Sequence, residues 1–329
     1  MKGWRIVAGG VLLTVPMGIH AASCTSQASM TQAERSAVAE ASLRLLTAVG
    51  QQDTGSLKAA LLPTEGGEWP AIHTAADQAV PLVDGGQMRL RNLYMIDASS
   101  ATSTADTQVF CSNAAGSLTV IITLAALPPG KYAVVLADAT GAKLAGQIGL
   151  VLGLDRGTWR LGGLSVHAGA LDDHDGVWYW SRARDLVRAE SFWSASFSFD
   201  MARYLLVPFS FISSPNLEKL NREQRQIPRA PTFPYTLVDG ARTWKLTGIR
   251  PDSSLRHADL GVSYESVGAS DPASFRTEAV TVLSAVLKAQ PGLRENFHGM
   301  WAYAFKDGKQ SFALELAMKD IPSVPLPLP

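Results

Sequence analysis

The chain has 329 residues, 47% of them hydrophobic and 18% charged, with Lys+Arg and Asp+Glu equal at 29 each. That apolar share fills one large core or two ordinary ones and excludes disorder over most of the length. The charge balance excludes a long-range field for nucleic acid, and no basic run interleaved with aromatics supplies a local one.

In chain order, Lys2 and Arg5 come first, then an uncharged, largely apolar run from Ile6 to Ile19, then the small residues Ala21, Ala22 and Ser23. This is the order of a secretory signal. Residues 1–23 are read as one, and the mature chain is expected outside the cytoplasm, periplasmic or extracellular. A membrane anchor is the competing reading, but the run is shorter than the ~20 residues a bilayer requires, and Gly9, Gly10 and Pro16 weaken it as a helix. No later segment is long and apolar enough to span, so no transmembrane helix is expected after cleavage.

Cys24 stands just behind the small residues. Ala21-Ala22-Ser23-Cys24 resembles a bacterial lipobox, which implies a lipid anchor on Cys24, although a large aliphatic residue is usual where Ala21 stands. The alternative is a disulfide to Cys111, the other cysteine of the chain. The two readings exclude each other. An even cysteine count in an oxidising compartment favours the bridge, which would contribute roughly 2–4 kcal/mol.

A first domain is expected over 25–167. Thr31 and Glu34 form a capping box for a helix whose apolar residues, Val38, Ala41, Leu45 and Val49 among them, recur at helical spacing. A shorter helix near Ser56–Leu62 stops at Pro63, and a Gly-rich link follows. Strands are then expected at Met88–Ile96, Ser117–Ala126, Tyr132–Ala137, Leu144–Leu154 and Thr158–His167, the last two joined by a turn at Asp155-Arg156-Gly157. Helices first and antiparallel strands after argue for an α+β fold with helices on one face of a curved sheet. That order, together with Gly157-Thr158-Trp159-Arg160-Leu161 in the closing hairpin, resembles the NTF2-like cone fold (the SnoaL and ketosteroid-isomerase type). The resemblance implies a cone that is either hollow, with an Asp or His general base inside, or filled and inert. Asp97, His73 and His167 are the candidate bases it points to.

The block 169–234 reads as a helical connector with a proline-rich end at Pro228, Pro231 and Pro234. Its helices are expected at Val177–Ala189, at Phe192–Val207, and after a Ser214 cap with Pro215 in the first turn. Tyr179, Ala183, Ala195, Phe199 and Ala202 fall at the spacing of a single tetratricopeptide-like hairpin, which they resemble. Adjacent aromatics at Trp178, Tyr179 and Trp180 cannot share one helix side, so a neighbouring domain or a partner must cover the second. Trp178, Trp180 and Trp193 are therefore the candidate partner-binding residues. A small ββαββ domain is expected over 235–321, with strands at Trp244–Ile249, Leu260–Tyr264, Met300–Phe305 and Phe312–Leu316 and a helix opened by Asp271-Pro272; a proline-rich tail fills 322–329. As a whole the chain resembles an exported bacterial protein.

The polar motifs give little chemistry. Leu171-Asp172-Asp173-His174-Asp175-Gly176 resembles a calcium loop, but Leu171 and Arg182 stand where the first and twelfth ligands belong; a turn with Asp175 capping the next helix explains it better. Gly163-Leu164-Ser165-Val166-His167 lacks the closing glycine and the strand–turn–helix setting of a nucleophile elbow. Gly149, Gly153 and Gly157 are wrongly spaced for a phosphate loop, and no His-x-x-x-His or Cys-x-x-Cys pair supports zinc. No cofactor or metal is expected. The leading expectation is a non-enzymatic exported cell-envelope scaffold or binding module that takes a protein partner or a small apolar ligand. The alternative is a ligand-binding or enzymatic cone.

Overall fold

The computed structural model describes residues 22–83, 86–113, 115–140 and 145–323. Residues 1–21, most of the expected signal, and residues 324–329 of the expected proline-rich tail lie outside them.

The first part contains β1 (Ser23–Ser26), α1 (Gln32–Gly50), α2 (Thr54–Ala59), α3 (Trp69–Val83), β2 (Gln87–Asp97), β3 (Ala105–Ser112), β4 (Leu118–Leu127), β5 (Lys131–Thr140), β6 (Gly146–Asp155) and β7 (Thr158–Ala168). The capping box forms as expected: Glu34 N donates to Thr31 Oγ1 at 3.2 Å, and Thr31 N donates to the Glu34 carboxylate at 2.9 Å. The stretch read as a Gly-rich link holds a helix instead, α3. Pro70 lies in its first turn, where no N–H is needed, and Ile72, Ala76, Ala79 and Val83 recur on one buried face. That burial outweighs the hydrogen bond lost at Pro81.

The main sheet runs β1-β2-β5-β6-β7, antiparallel throughout. Successive side chains take opposite faces of a strand. Leu93, Met95, Ala133, Val135, Ile148 and Leu150 therefore meet α1 and α3, while Tyr94, Ile96, Val134 and Leu136 meet Val109, Val120 and Ile122 of β3 and β4. Two buried faces explain why these strands read as apolar runs and not as alternation. Cys24 lies opposite Ile96 in the β1–β2 register, and its sulfur is bonded to that of Cys111 on β3, with Cα atoms 5.0 Å apart. Since Cys24 Sγ is used in the bridge, it has no bond to spare for a lipid thioether. Gly149 and Gly153 of β6 are seats for side chains. A Cβ at Gly149 would lie 2.3 Å from Phe209 Cε2, and one at Gly153 would lie 2.8 Å from Leu62 Cδ2.

The middle part contains β8 (Ala170–Leu171), β9 (His174–Asp175), α4 (Gly176–Arg188), α5 (Phe192–Leu206), β10 (Ile212–Ser213) and α6 (Pro215–Arg225). Asp175 caps α4 by accepting from Trp178 N at 2.8 Å, and Ser214 caps α6 by accepting from Leu217 N at 3.2 Å. β10 is not a linker element: it pairs with β4 to complete a small sheet ordered β10-β4-β3. Tyr179, Ala183, Ala195, Phe199 and Ala202 are all buried in one cluster between α4 and α5. The helices approach closely at Gly176, where a Cβ would stand 3.0 Å from Ala202 O. Ala202→Leu is therefore expected to overpack this crossing and lower stability by roughly 1–3 kcal/mol. Urea denaturation checks it, and an unchanged midpoint would place Ala202 away from a tight contact.

The last part contains β11 (Tyr235–Asp239), β12 (Arg242–Asp252), β13 (Asp259–Glu265), α7 (Pro272–Ala289), α8 (Leu293–Asn296), β14 (Gly299–Lys306) and β15 (Lys309–Ala317). The expected ββαββ order lacks one strand and one short helix. β11 pairs with β12 across a turn at Asp239-Gly240, where Gly240 takes φ +60°. The sheet order is β11-β12-β13-β14-β15, and β13 and β14 are parallel. A parallel pair needs a crossover, which α7 and α8 supply. The whole is mixed α+β, and among the described residues its sheets are open, none closing into a barrel. No helix of the described residues is long and apolar enough to cross a membrane.

Candidate functional site

The space between α1, α3 and the main sheet is filled by packed side chains, among them Val38, Leu46, Val49, Leu93, Val135 and Leu150. A large open volume lies elsewhere. A cleft of about 1280 Å³ opens between the far face of β7, the C-terminal half of α5, the segment from Val207 to Ser213, and β12. Its walls are largely apolar, with Leu164, Phe209, Phe211 and Ile249 prominent. Its polar groups come from several elements: Ser165 and His167 on β7, Asp200, Arg203 and Tyr204 on α5, Glu218 and Asn221 on α6, and Arg250 on β12.

Ser165 and His167 share a face because they are two apart on a strand. Ser165 Oγ is 2.7 Å from His167 Nε2, and both reach the Pro208 carbonyl, at 2.8 and 3.1 Å. A carbonyl only accepts, so a bond from His167 Nε2 requires the hydrogen on that nitrogen. Burial lowers the pKa of His167, and the Pro208 bond acts against that. With the hydrogen on Nε2 the ring cannot take a proton there from Ser165, and among the described residues no carboxylate pairs with the ring. The pair holds the strand to the loop after α5.

Asp200 is the second perturbed group. Its side chain is 19% exposed, and burial lifts its pKa above the usual carboxylate range, opposed by bonds from Gln224 Nε2 at 2.8 Å and Arg203 at 3.0 Å. The native state thus holds this proton more tightly than the unfolded chain. Stability from this group is present at low pH and is lost as pH rises from the unfolded carboxylate value through the raised native one. Asp200→Asn keeps an acceptor for Gln224 and removes the buried charge. The variant is expected to be more stable than the parent at neutral pH, with the difference vanishing in acid. Melting curves across the acid range check this, and a gain that is independent of pH would count against it.

The other candidate bases lie outside the cleft. Asp97, at the end of β2, has a pKa lowered first by the Ser99 N–H, which donates to it at 3.0 Å; Lys131 lies 3.3 Å away. His73 is on the solvent side of α3, 3.3 Å from Asp77 and edge-on to Trp69. Neither meets His167. The candidate partner-binding tryptophans also separate. Trp180 Nε1 donates to Glu223 at 2.7 Å, with Arg184 over its ring at 4.4 Å. Trp193 packs against Phe197, Phe233 and Tyr235. Trp178 is 41% exposed, with His174 stacked on it at 3.6 Å.

Asp172, read within the calcium-like loop, bonds to the last part of the chain. Its carboxylate lies 2.6 Å from His257 Nδ1 and accepts from Ala258 N at 2.7 Å. His257 stacks on His298 at 3.7 Å, and His298 Nδ1 is 3.1 Å from Asp259. Among the described residues no group of three or more His, Cys, Asp or Glu side chains could hold a metal. Sequence reading did not locate the cleft because Asp200, Tyr204 and Arg250 carry no motif. Comparison with models of known families, with curated proteins and with solved structures found no match.

Proposed function

We propose that this chain is an exported, non-enzymatic binding module of the cell envelope, and that the cleft beside β7 holds a small apolar ligand with a polar end. One observation carries the reading: the helix–sheet interior is filled, and a large, mainly apolar cleft opens where three parts of the chain meet. Arg203 and Arg250 line it and would receive a polar or anionic end. The cysteine bridge and the N-terminal residue order support export. In this reading the first part is an NTF2-like domain used as a frame, and α4–α5 is a tetratricopeptide-like hairpin that joins it to the last part.

The test uses the mature chain and the fluorescent apolar probe N-phenyl-1-naphthylamine, with palmitate as competitor. Saturable binding is expected, with palmitate displacing the probe. Leu217→Trp, which narrows the cleft from α6, should weaken binding at least ~10-fold while the melting curve holds. Absence of probe binding would overturn the reading. So would a hydrolase or isomerase activity abolished by His167→Ala or Asp97→Asn.

A further inference from the structure

α7 covers one face of the C-terminal sheet, where Met300, Ala302 and Ala304 join its core. The alternate residues of β14, Trp301, Tyr303 and Phe305, take the other face and are half-buried. Tyr303 lies down on that face. Its ring rests over Gly261 of β13, where a Cβ would stand 2.9 Å from Tyr303 Cε2. Its hydroxyl crosses to β12 and donates to Asp252 at 2.6 Å. A side chain that starts on β14, passes over β13 and ends on β12 runs along the sheet, and it is only partly buried there. The Trp301 ring is parallel to it within 3°, with centroids 5.8 Å apart. Beyond Phe305 the stripe continues into a groove of about 630 Å³ lined by Thr247, Glu265, Val267 and Lys306.

From this geometry we propose that the open face of the C-terminal sheet binds a neutral oligosaccharide, a chain of pyranose units, with Trp301 and Tyr303 as its stacking platform. The C–H face of a pyranose carries slight positive charge and suits the negative face of an aromatic ring, while its hydroxyls need donors and acceptors at the ring edge. The edge supplies both. Asp252 lies beside Tyr303, Glu315 lies opposite Trp301 in the β14–β15 register, and Arg250 lies opposite Gly261 in the β12–β13 register. Parallel rings on a central strand would also stack nucleobases, but charge argues against a nucleic acid. The carboxyls Asp252, Glu265, Asp307 and Glu315 outnumber the cations Lys245, Arg250 and Lys306, and Lys245 is already paired with Glu265 at 2.6 Å. Such an edge repels a phosphate backbone. Arg250 borders both this face and the cleft beside β7, but Trp301 and Tyr303 lie outside the cleft, so their variants test this proposal without touching the other.

Titration of the mature chain with cellohexaose, chitohexaose and mannohexaose tests this, followed by tryptophan fluorescence and by the indole N–H signals in a ¹⁵N spectrum. Saturable binding of at least one hexaose is expected, with Trp301 among the shifted indoles. Trp301→Ala should weaken it roughly 10-fold or more, whereas Trp301→Phe, which keeps a ring, should retain most of it. Tyr303→Ala should weaken it likewise. The Phe variant keeps the comparison readable if an Ala variant unfolds. The proposal is overturned if no hexaose binds, if binding is indifferent to Trp301→Ala, or if a single-stranded dT15 oligonucleotide binds more tightly than every sugar.

Discussion

Replacing Cys24 and Cys111 together by Ser is expected to lower unfolding stability by about 2–5 kcal/mol. The bridge joins residues 87 apart in sequence, so it removes a large set of open conformations from the unfolded chain. It also fastens β1, a strand of four residues at the edge of the main sheet, to β3 of the small sheet. β1 has few ladder bonds of its own and is expected to fray once released. Cys111 is fully buried, so a serine there adds a hydroxyl in an apolar site that also contains Val109, Val120 and Ile122. Urea denaturation of the mature chain with and without reductant measures the effect. The reduced parent should match the double Ser variant, and a parent midpoint that reductant leaves unmoved would show that the bridge contributes nothing. A mature mass carrying acyl chains on Cys24 would be incompatible with the bridge, because both need the same sulfur.

Phe197→Ala is expected to cost about 3–5 kcal/mol. Phe197 belongs to α5, yet its ring is buried in the core of the C-terminal sheet with Leu237, Ile249 and Leu293. Phe199, two residues on, is buried in the opposite cluster against Tyr179 and Ala183. Residues two apart on a helix are rotated by roughly 200°, so α5 sends one ring into each core. Truncating Phe197 leaves a cavity where two parts of the chain join. Calorimetry should then show the C-terminal part melting earlier, as a separate transition, where the parent shows closer coupling. Phe199→Ala should cost a similar amount without that splitting. A single unshifted transition for Phe197→Ala would show that the ring does not couple the two cores.

Much of the fold was legible because it depends on local chemistry. Thr31 and Glu34, Asp175, and Ser214-Pro215 mark helix starts through bonds made within one turn, and each cap is in place. The α4–α5 crossing was readable for the same reason, since small residues at helical spacing permit close approach wherever they occur. The errors follow a pattern. α3 was taken for a link because Gly66, Gly67, Pro70 and Pro81 are breakers by propensity, and only contact with the sheet makes its apolar face worth burying. β3 is polar over half its length, with Phe110 58% exposed, and exists because β4 offers it a partner. β11 had a signal that was passed over: Asp239-Gly240 repeats the dipeptide of Asp307-Gly308, which was read, although its two turn residues are Gly240 and Ala241.

The sequence by itself determined the caps of α1, α4 and α6, the turns at Asp155-Arg156-Gly157 and Asp307-Gly308, the pairing left open to its two cysteines, and the lack of any motif with metal or nucleophile spacing. It could do so because each depends on residues close in the chain or on simple counting. Only the tertiary structure decided which side chains share a site. It brings Ser165, His167, Asp200 and Tyr204 into one cleft, sends Asp97 and His73 elsewhere, and lays Tyr303 flat over Gly261 toward Asp252. Those neighbours lie on separate strands and helices, tens of residues apart in sequence. Their meeting is set by strand register and helix packing, which no local window contains.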